Sequence, residues 1–176
     1  MRTRPQQRIL VRTAAARNRQ LLLLPGERTV AAWKQHANSA APRVLTYEPH
    51  YEGSPIVFGP PSGVSSASGT HTFKARAGHH LPPQRLTCGR NVFEELGKDF
   101  TLLAFDAEEA AASAFAQAAE TQRLPVKIVR DSYKDGRTAY QAKFILVRPD
   151  RYIAWAGNEP PADAAAILAK AAGRKT

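Results

Sequence analysis

A single cysteine, Cys88, is the whole thiol content of the chain. Disulfides need pairs and thiolate metal sites need several sulfurs, so both are excluded. Such thiol poverty fits a reducing compartment, and a cytoplasmic location is expected. No apolar run approaches the roughly 20 residues of a membrane-spanning helix. Leu21 to Leu24, closed by Pro25-Gly26, is too short for the core of a signal peptide. A membrane is therefore not expected among the partners. Neither Gly-x-Gly-x-x-Gly nor Gly-x-x-x-x-Gly-Lys-Ser/Thr occurs, so no glycine-rich loop is offered to a phosphate. Acid is missing from one end. Residues 1–46 carry nine Arg and Lys (Arg2, Arg4, Arg8, Arg12, Arg17, Arg19, Arg28, Lys34 and Arg43) against Glu27 alone. That +8 makes up most of the net +10 of the 176 residues, so the remainder is close to neutral.

What is present is most regular between Phe100 and Gly157. Thr101-Leu102-Leu103-Ala104-Phe105 is a short apolar run of the length of a buried strand. Asp106, with Glu109 three residues on, predicts an N-cap and capping box for a helix to about Thr121. Ala111, Ala114, Phe115, Ala118 and Ala119 recur on one of its faces. Val126 to Arg130 alternates and carries charge, as an edge strand does. After a helical piece near Arg137 to Gln141, Phe144-Ile145-Leu146-Val147 is apolar on both faces and so central. Arg148-Pro149-Asp150-Arg151 predicts a tight turn, and Tyr152 to Trp155 an antiparallel return. A last helix over about Pro161 to Ala172 buries Ala164, Ile167, Leu168 and Ala171 and stops at Gly173. The order is β-α-β-α-β-β-α around a mixed four-stranded sheet. This is an α/β unit with the element order of a thioredoxin-like domain.

Three regions follow. Residues 1–46 form a basic tail with no sustained period, expected to be poorly ordered and compatible with an organellar transit segment or a basic arm. Residues 47–86 are extended wrapping material, with a short strand expected over Tyr51 to Val57 and linker composition from Gly59 to Gly69. Residues 87–173 are the thioredoxin-like unit, opened by Asn91 capping one turn of helix over Val92 to Leu96.

The chemistry sought in that unit is mostly missing. A thioredoxin-like oxidoreductase needs a cysteine at the start of its first long helix, where free amides lower the thiol pKa. Here the position reads Asp106-Ala107-Glu108-Glu109, and Gln141-Ala142-Lys143 before the third strand lacks the proline that accompanies active thiols. Cys88 lies upstream and reads as a partly buried small residue. His71, His79 and His80 could be offered as metal ligands. Adjacent histidines in a strand point to opposite faces, and no acid is close in sequence, so solvated loop positions are expected. Trp155 and Tyr152 read as core and sheet-face packing. No catalytic, cofactor-binding or metal residue is assigned, and the chain alone is not expected to be an enzyme.

Five motifs nevertheless stand in a recognisable order: Tyr51-Glu52-Gly53-Ser54-Pro55-Ile56-Val57, Gly78-His79-His80-Leu81-Pro82, Gly89 to Gly97, Phe100 to Leu103 and Ile145 to Trp155. Together, over roughly Tyr47 to Gly173, the chain resembles the C-terminal part of the FAD-dependent aromatic-ring hydroxylases, the phenol-hydroxylase-like group A flavoprotein monooxygenases. The resemblance implies a thioredoxin-like domain without redox cysteines, appended to flavin and substrate domains and concerned with packing and subunit contact. FAD and NAD(P)H belong to the parent family, and no residue for holding them carries over. The implied partner is a flavin-binding monooxygenase domain, on the same or a separate chain, or a second copy. The rival reading is a basic-tailed binder of nucleic acid or acidic surfaces. Electrostatic binding of that kind should weaken about tenfold or more between low and physiological salt, and only through the tail.

With so little periodic apolar sequence, residues 1–46 can offset little ordering entropy. Limited proteolysis is expected to trim the chain to a stable core beginning between about Thr46 and Thr87. Protection of Arg8 to Arg28 in that digest would contradict the division.

Overall fold

The computed structural model describes residues 47–174. The basic tail expected over residues 1–46 lies outside them. In chain order the described elements are β1 (Tyr47–His50), β2 (Ser66–Ser68), α1 (Val92–Glu95), β3 (Phe100–Phe105), α2 (Glu109–Gln122), β4 (Val126–Asp131), a 3-10 turn (Asp135–Tyr140), β5 (Phe144–Val147), β6 (Ile153–Gly157) and α3 (Ala164–Ala171). Strands β3 to β6 form one mixed sheet in the order β4-β3-β5-β6, while β1 and β2 pair with each other. β3 runs parallel to β4 and antiparallel to β5, which is antiparallel to β6. The expected mixed α/β architecture is therefore present, with β5 central and β4 at an edge. None of the described helices is long and apolar enough to cross a membrane.

The two-residue period of β3 and β5 divides the core. Leu102 and Leu146 face α2 and α3, where they meet Phe115, Ala118, Ala119, Ile167 and Leu168. Leu103, Phe105, Ile145 and Val147 face the other way, onto Leu81, Leu86, Val92 and Tyr140. One face is thus covered by helices and the other by the irregular segment that precedes them. Tyr140 is fully buried there, its hydroxyl donating to the Pro82 carbonyl at 2.8 Å. Burial pushes the Tyr140 phenol above its ordinary range.

β6 carries the joint between the two coverings. Its pairing to β5 shifts register so that Leu146 opposes Trp155 while Val147 opposes Ile153, leaving Ala154 as the extra residue of a bulge. The Ala154 carbonyl accepts from the Phe58 N–H at 2.8 Å. On the same strand, Gly78 N–H donates to Ile153 O at 2.7 Å and Ile153 N–H to His79 O at 2.9 Å, extending the antiparallel bridge between His80 and Tyr152. The free edge of β6 is thereby paired.

Several sequence expectations are corrected. Asp106 is not the N-cap of α2. It sits at φ 45°, its Oδ2 accepts from Tyr133 N–H at 3.0 Å, and the helix begins only at Glu109, after an extended Glu108 whose side chain makes no capping bond. Glu109 pairs with Arg130 across the turn instead of closing a capping box. Ala114 is exposed, and Ala112 takes its place on the buried face. Tyr51 to Val57 is a succession of turns, not a strand; the strands of this region are β1 and β2. The last helix begins at Ala164, with Asp163 as its N-cap accepting from Ala166 N–H at 2.8 Å. Pro161 therefore precedes its first turn. Its buried stripe is the expected one, and Gly173 closes it at φ +71°. Asn91 caps α1 with a full capping box through Glu94. Cys88 is exposed, not partly buried, because it lies on the Leu86–Arg90 turn rather than under an element.

The buried charge in this half of the core is Arg137. Its guanidinium donates to Ser132 O at 2.5 Å, to Arg85 O at 2.9 Å and to Thr87 Oγ1 at 3.1 Å, and lies 3.3 Å from Asp131 Oδ2. Burial opposes the Asp131 charge, yet the hydrogen bonds from Thr87 and Ser132 and the Arg137 charge outweigh it and hold its carboxyl below the ordinary range. The planar fork ties β4, the 3-10 turn and the 85–87 segment together. Arg137→Ala should cost about 3–5 kcal/mol, because it strands a buried carboxylate and two carbonyls. Urea unfolding of this variant beside Arg137→Lys, which supplies the charge without the fork and should recover only part of the loss, checks it.

Candidate functional site

The densest polar cluster outside the sheet is built by β1 and the turn before His80. Alternation along β1 and its continuation puts Glu48, His50 and Glu52 on one side and Tyr47, Pro49 and Tyr51 on the other. The chain returns through Arg76-Ala77-Gly78-His79, with the His79 N–H bonded to Arg76 O at 3.0 Å. Gly78 has φ +88°, and a Cβ there would lie 2.7 Å from Glu52 N. Only a glycine lets the two backbones approach this closely. His79 is thereby laid against the polar face of the strap.

Its geometry is specific. His79 Nε2 is 2.9 Å from Glu52 Oε1, and the same oxygen accepts from Arg76 Nη2 at 2.6 Å. The other ring nitrogen, Nδ1, stands 3.7 Å from Glu48 Oε1, while Glu48 Oε2 is 3.7 Å from His71 Nδ1. The His50 and His79 rings are stacked, their centroids 4.7 Å apart and their planes within 5°. Burial raises the Glu52 carboxyl, but the His79 hydrogen bond and the charges of Arg76, His79 and His50 overcome it and hold the group below its ordinary range. Glu52 is thus a carboxylate and an acceptor only.

Of the three histidines expected on solvated loops, His79 is corrected. It is buried, 4% exposed, because folding brings Glu48 and Glu52 to it from 27 or more residues away. His71 is exposed beside the same cluster. His80 is exposed on the opposite side, as adjacent strand residues require, with its ring against Phe93 and Tyr152. The alternation Glu48, His50, Glu52 was the available signal in the sequence, but a three-residue polar period next to Pro49 gives no partner by itself. Cys88 does not join the group.

Beside the cluster lies an open cavity of about 480 Å3, walled by Tyr47, Pro49, Phe73, Leu81, Pro82 and Tyr152. A smaller one of about 300 Å3 lies beyond Tyr152, between Tyr51, Ile56 and Arg148. Among the described residues the exposed large apolar side chains are Tyr47, Tyr51, Val64 and Phe73, all on the 47–73 strap.

A flavin pyrophosphate suits free amides such as those at a helix start, and the starts of α1 and α3 are filled by Asn91 with Glu94 and by Asp163. α2 opens on Glu108 and Glu109. Close-approach glycines are occupied as well, since a Cβ on Gly59 or Gly53 would strike the backbone of Glu52 or Gly63, the strap's own chain.

The family model described as aromatic-ring hydroxylase, C-terminal, matches residues 74–175. The FAD-dependent monooxygenase opdD of Penicillium oxalicum is 30% identical over 124 residues, covering 62% of this chain and 24% of that protein. The FAD-dependent monooxygenase apdD of Emericella nidulans is 31% identical over 102 residues, covering 54% and 16%. This chain thus spans about a quarter or less of the length of these curated relatives. Among solved structures, the rebeccamycin biosynthetic enzyme RebC superposes with a TM-score of 0.64 at 25% identity, over 84% of this chain and 28% of that one. Aklavinone-11 hydroxylase, solved with FAD and aklavinone, superposes with a TM-score of 0.59 at 23% identity, over 74% and 27%, which speaks to the fold alone.

Because the Glu52 and Asp131 pKa values are depressed by folding, both groups add stability above their ordinary values of 4.5 and 3.8. That contribution is lost as pH falls through the folded values. Glu52→Gln should lower stability at neutral pH by about 1–3 kcal/mol. The gap to wild type should close below pH 4.5, as urea midpoints measured across pH would register.

Proposed function

Since the chain belongs to the family of aromatic-ring hydroxylase C-terminal domains, we propose that it is the accessory packing domain of an FAD-dependent aromatic monooxygenase, thioredoxin-like in design and without flavin chemistry of its own. The observation that carries this is the aromatic strap. A folded unit that buries both faces of its sheet still leaves Tyr47 and Phe73 exposed around one open cavity and Tyr51 exposed at the smaller one. Such patches mark contact surfaces. The occupant we assign is the flavin-binding body of the monooxygenase, carried on the same chain or on a separate one. The relatives support that choice, since in them this segment is about a quarter of a longer chain.

The chain's own contribution is to bind and position. The strap presents aromatic area, and Arg76 stands at its margin, paired with Glu52. Flavin, NAD(P)H and the aromatic substrate would all be held by the body.

Two measurements test this. Purified alone and mixed with FAD, the chain should leave gel filtration colourless and should not oxidise NADPH. A hybrid of RebC carrying residues 47–174 in place of its matched segment should keep its flavin. Introducing Tyr47→Ser with Phe73→Ser should lower the hybrid's thermal midpoint by several degrees without unfolding the isolated chain. A stoichiometric flavin on the chain alone, or a dimer of the chain abolished by the same two substitutions, would defeat the assignment.

A further inference from the structure

The His79 cluster contains three unpaired buried atoms. Among the described residues, Glu48 Oε2, His50 Nδ1 and His79 Nδ1 are buried and have no hydrogen-bond partner. Buried polar atoms without partners are rare and ask for an explanation, a bound ion among them. Here all three are metal-ligating atom types, and all belong to one cluster. A group formed by His50, Glu52 and His79 already has ligand-type atoms within 4.8 Å of one another.

His79 Nε2 is taken up by Glu52 Oε1 at 2.9 Å, which leaves Nδ1 as the ring nitrogen open to a further group. It faces a second carboxylate oxygen, Glu48 Oε1, at 3.7 Å. A cation joins such a pair, either a proton on the ring or a metal between nitrogen and oxygen. A proton would be expected to draw the pair into hydrogen-bond distance, near 2.7–2.9 Å for a charge-assisted bond. Ligands on one tetrahedral zinc, each about 2.0–2.1 Å from it, stand roughly 3.4 Å apart. The separation observed is nearer the second figure. His71 Nδ1 lies 3.7 Å from the other oxygen of Glu48, beside the same carboxylate.

We propose that this pocket binds one divalent transition metal of the zinc class, with His79 Nδ1, the Glu48 carboxylate and His71 Nδ1 as ligands and His50 as the fourth. Glu52 stands behind it, orienting His79 through Nε2, with Arg76 fixing Glu52 in turn. A carboxylate behind a ligating histidine is the usual outer shell of zinc sites. The stacked His50 and His79 rings lie in nearly parallel planes, so their lone pairs do not converge as they stand. His50 is only partly buried and would ligate after turning out of the stack. Nitrogen and oxygen donors without thiolate suit Zn2+, Co2+, Ni2+ or Cu2+, and tetrahedral closure favours zinc. Its effect is structural, because it joins β1 to the 71–79 segment. This site does not depend on the packing role proposed above.

The test uses the full, untagged chain stripped with chelator and titrated with Zn2+ by calorimetry, and with Co2+ by visible absorption. The expected result is one equivalent of metal, tetrahedral Co2+ bands and a rise in thermal midpoint with free Zn2+. His71→Ala, at an exposed position that should leave the fold intact, should weaken binding about 10–100-fold. His79→Ala should abolish it, with circular dichroism reporting whether that variant folds. His80→Ala, a neighbouring histidine outside the cluster, should bind as the wild type does. No uptake by the folded wild type, uptake unaffected by His71→Ala, or uptake lost with His80→Ala would each overturn the site.

Discussion

A sheet that is apolar on both faces has to be covered twice, and the rest of this structure follows from that constraint. Leu102 and Leu146 point to one side, Leu103 and Ile145 to the other, and all four are fully buried. Helices α2 and α3 cover the first side with the small-residue surfaces of Ala118, Ala119, Ala164 and Ala171, which allow close approach. Among the described residues, the second has only the single turn of α1 and the 3-10 turn over Asp135–Tyr140. The chain covers that side with irregular backbone, and irregular backbone brings polar groups that must be satisfied one by one. Arg137, Tyr140 and the Gly78-to-Leu81 pairing along β6 meet that demand.

This division explains which features could be read from the sequence. β3, β5 and α3 announce themselves because their apolar positions repeat with the period of the element that buries them. The parallel β3–β4 crossover also follows from a strand, a 14-residue helix and a strand in succession. By contrast, the capping box expected at Asp106 fails for a tertiary reason. The carboxylate is taken by Tyr133 N–H and Asp106's own N–H by Asp131 O, so the residue ties two turns together and the N-cap falls at Glu108 instead. Local capping preference, worth about 1 kcal/mol, is easily overridden by such a pairing. Glu109, freed from the box, meets Arg130 instead.

The candidate site was less legible because nothing local defines it. His79 and Glu52 are 27 positions apart, and their meeting depends on the bulge at Ala154 and on a left-handed glycine at position 78. The segment over Tyr51 to Val57 is rich in the residues that make turns, and its family likeness was readable even though its conformation was not. Motif order survives where periodicity is silent. What motif order cannot give is burial, and burial separates His79 from His80.

Burial also bears on why a strap of this composition is kept. Its inward side is charged and its outward side aromatic, the reverse of what a solvent-facing cover would use. Glu52 lies inside, held by Arg76 and His79, while Tyr47 and Phe73 lie outside. A segment serving only to close the core would gain more from apolar residues inward, since paired buried charges seldom stabilise more than well-packed hydrocarbon. Charges inward and rings outward make sense together if the strap must hold one definite shape and present it. The inner network gives directionality that dispersion forces lack, fixing Tyr47, Tyr51 and Phe73 in space. The aromatic side then has a surface whose geometry is set before any partner arrives, which reduces the ordering cost of association.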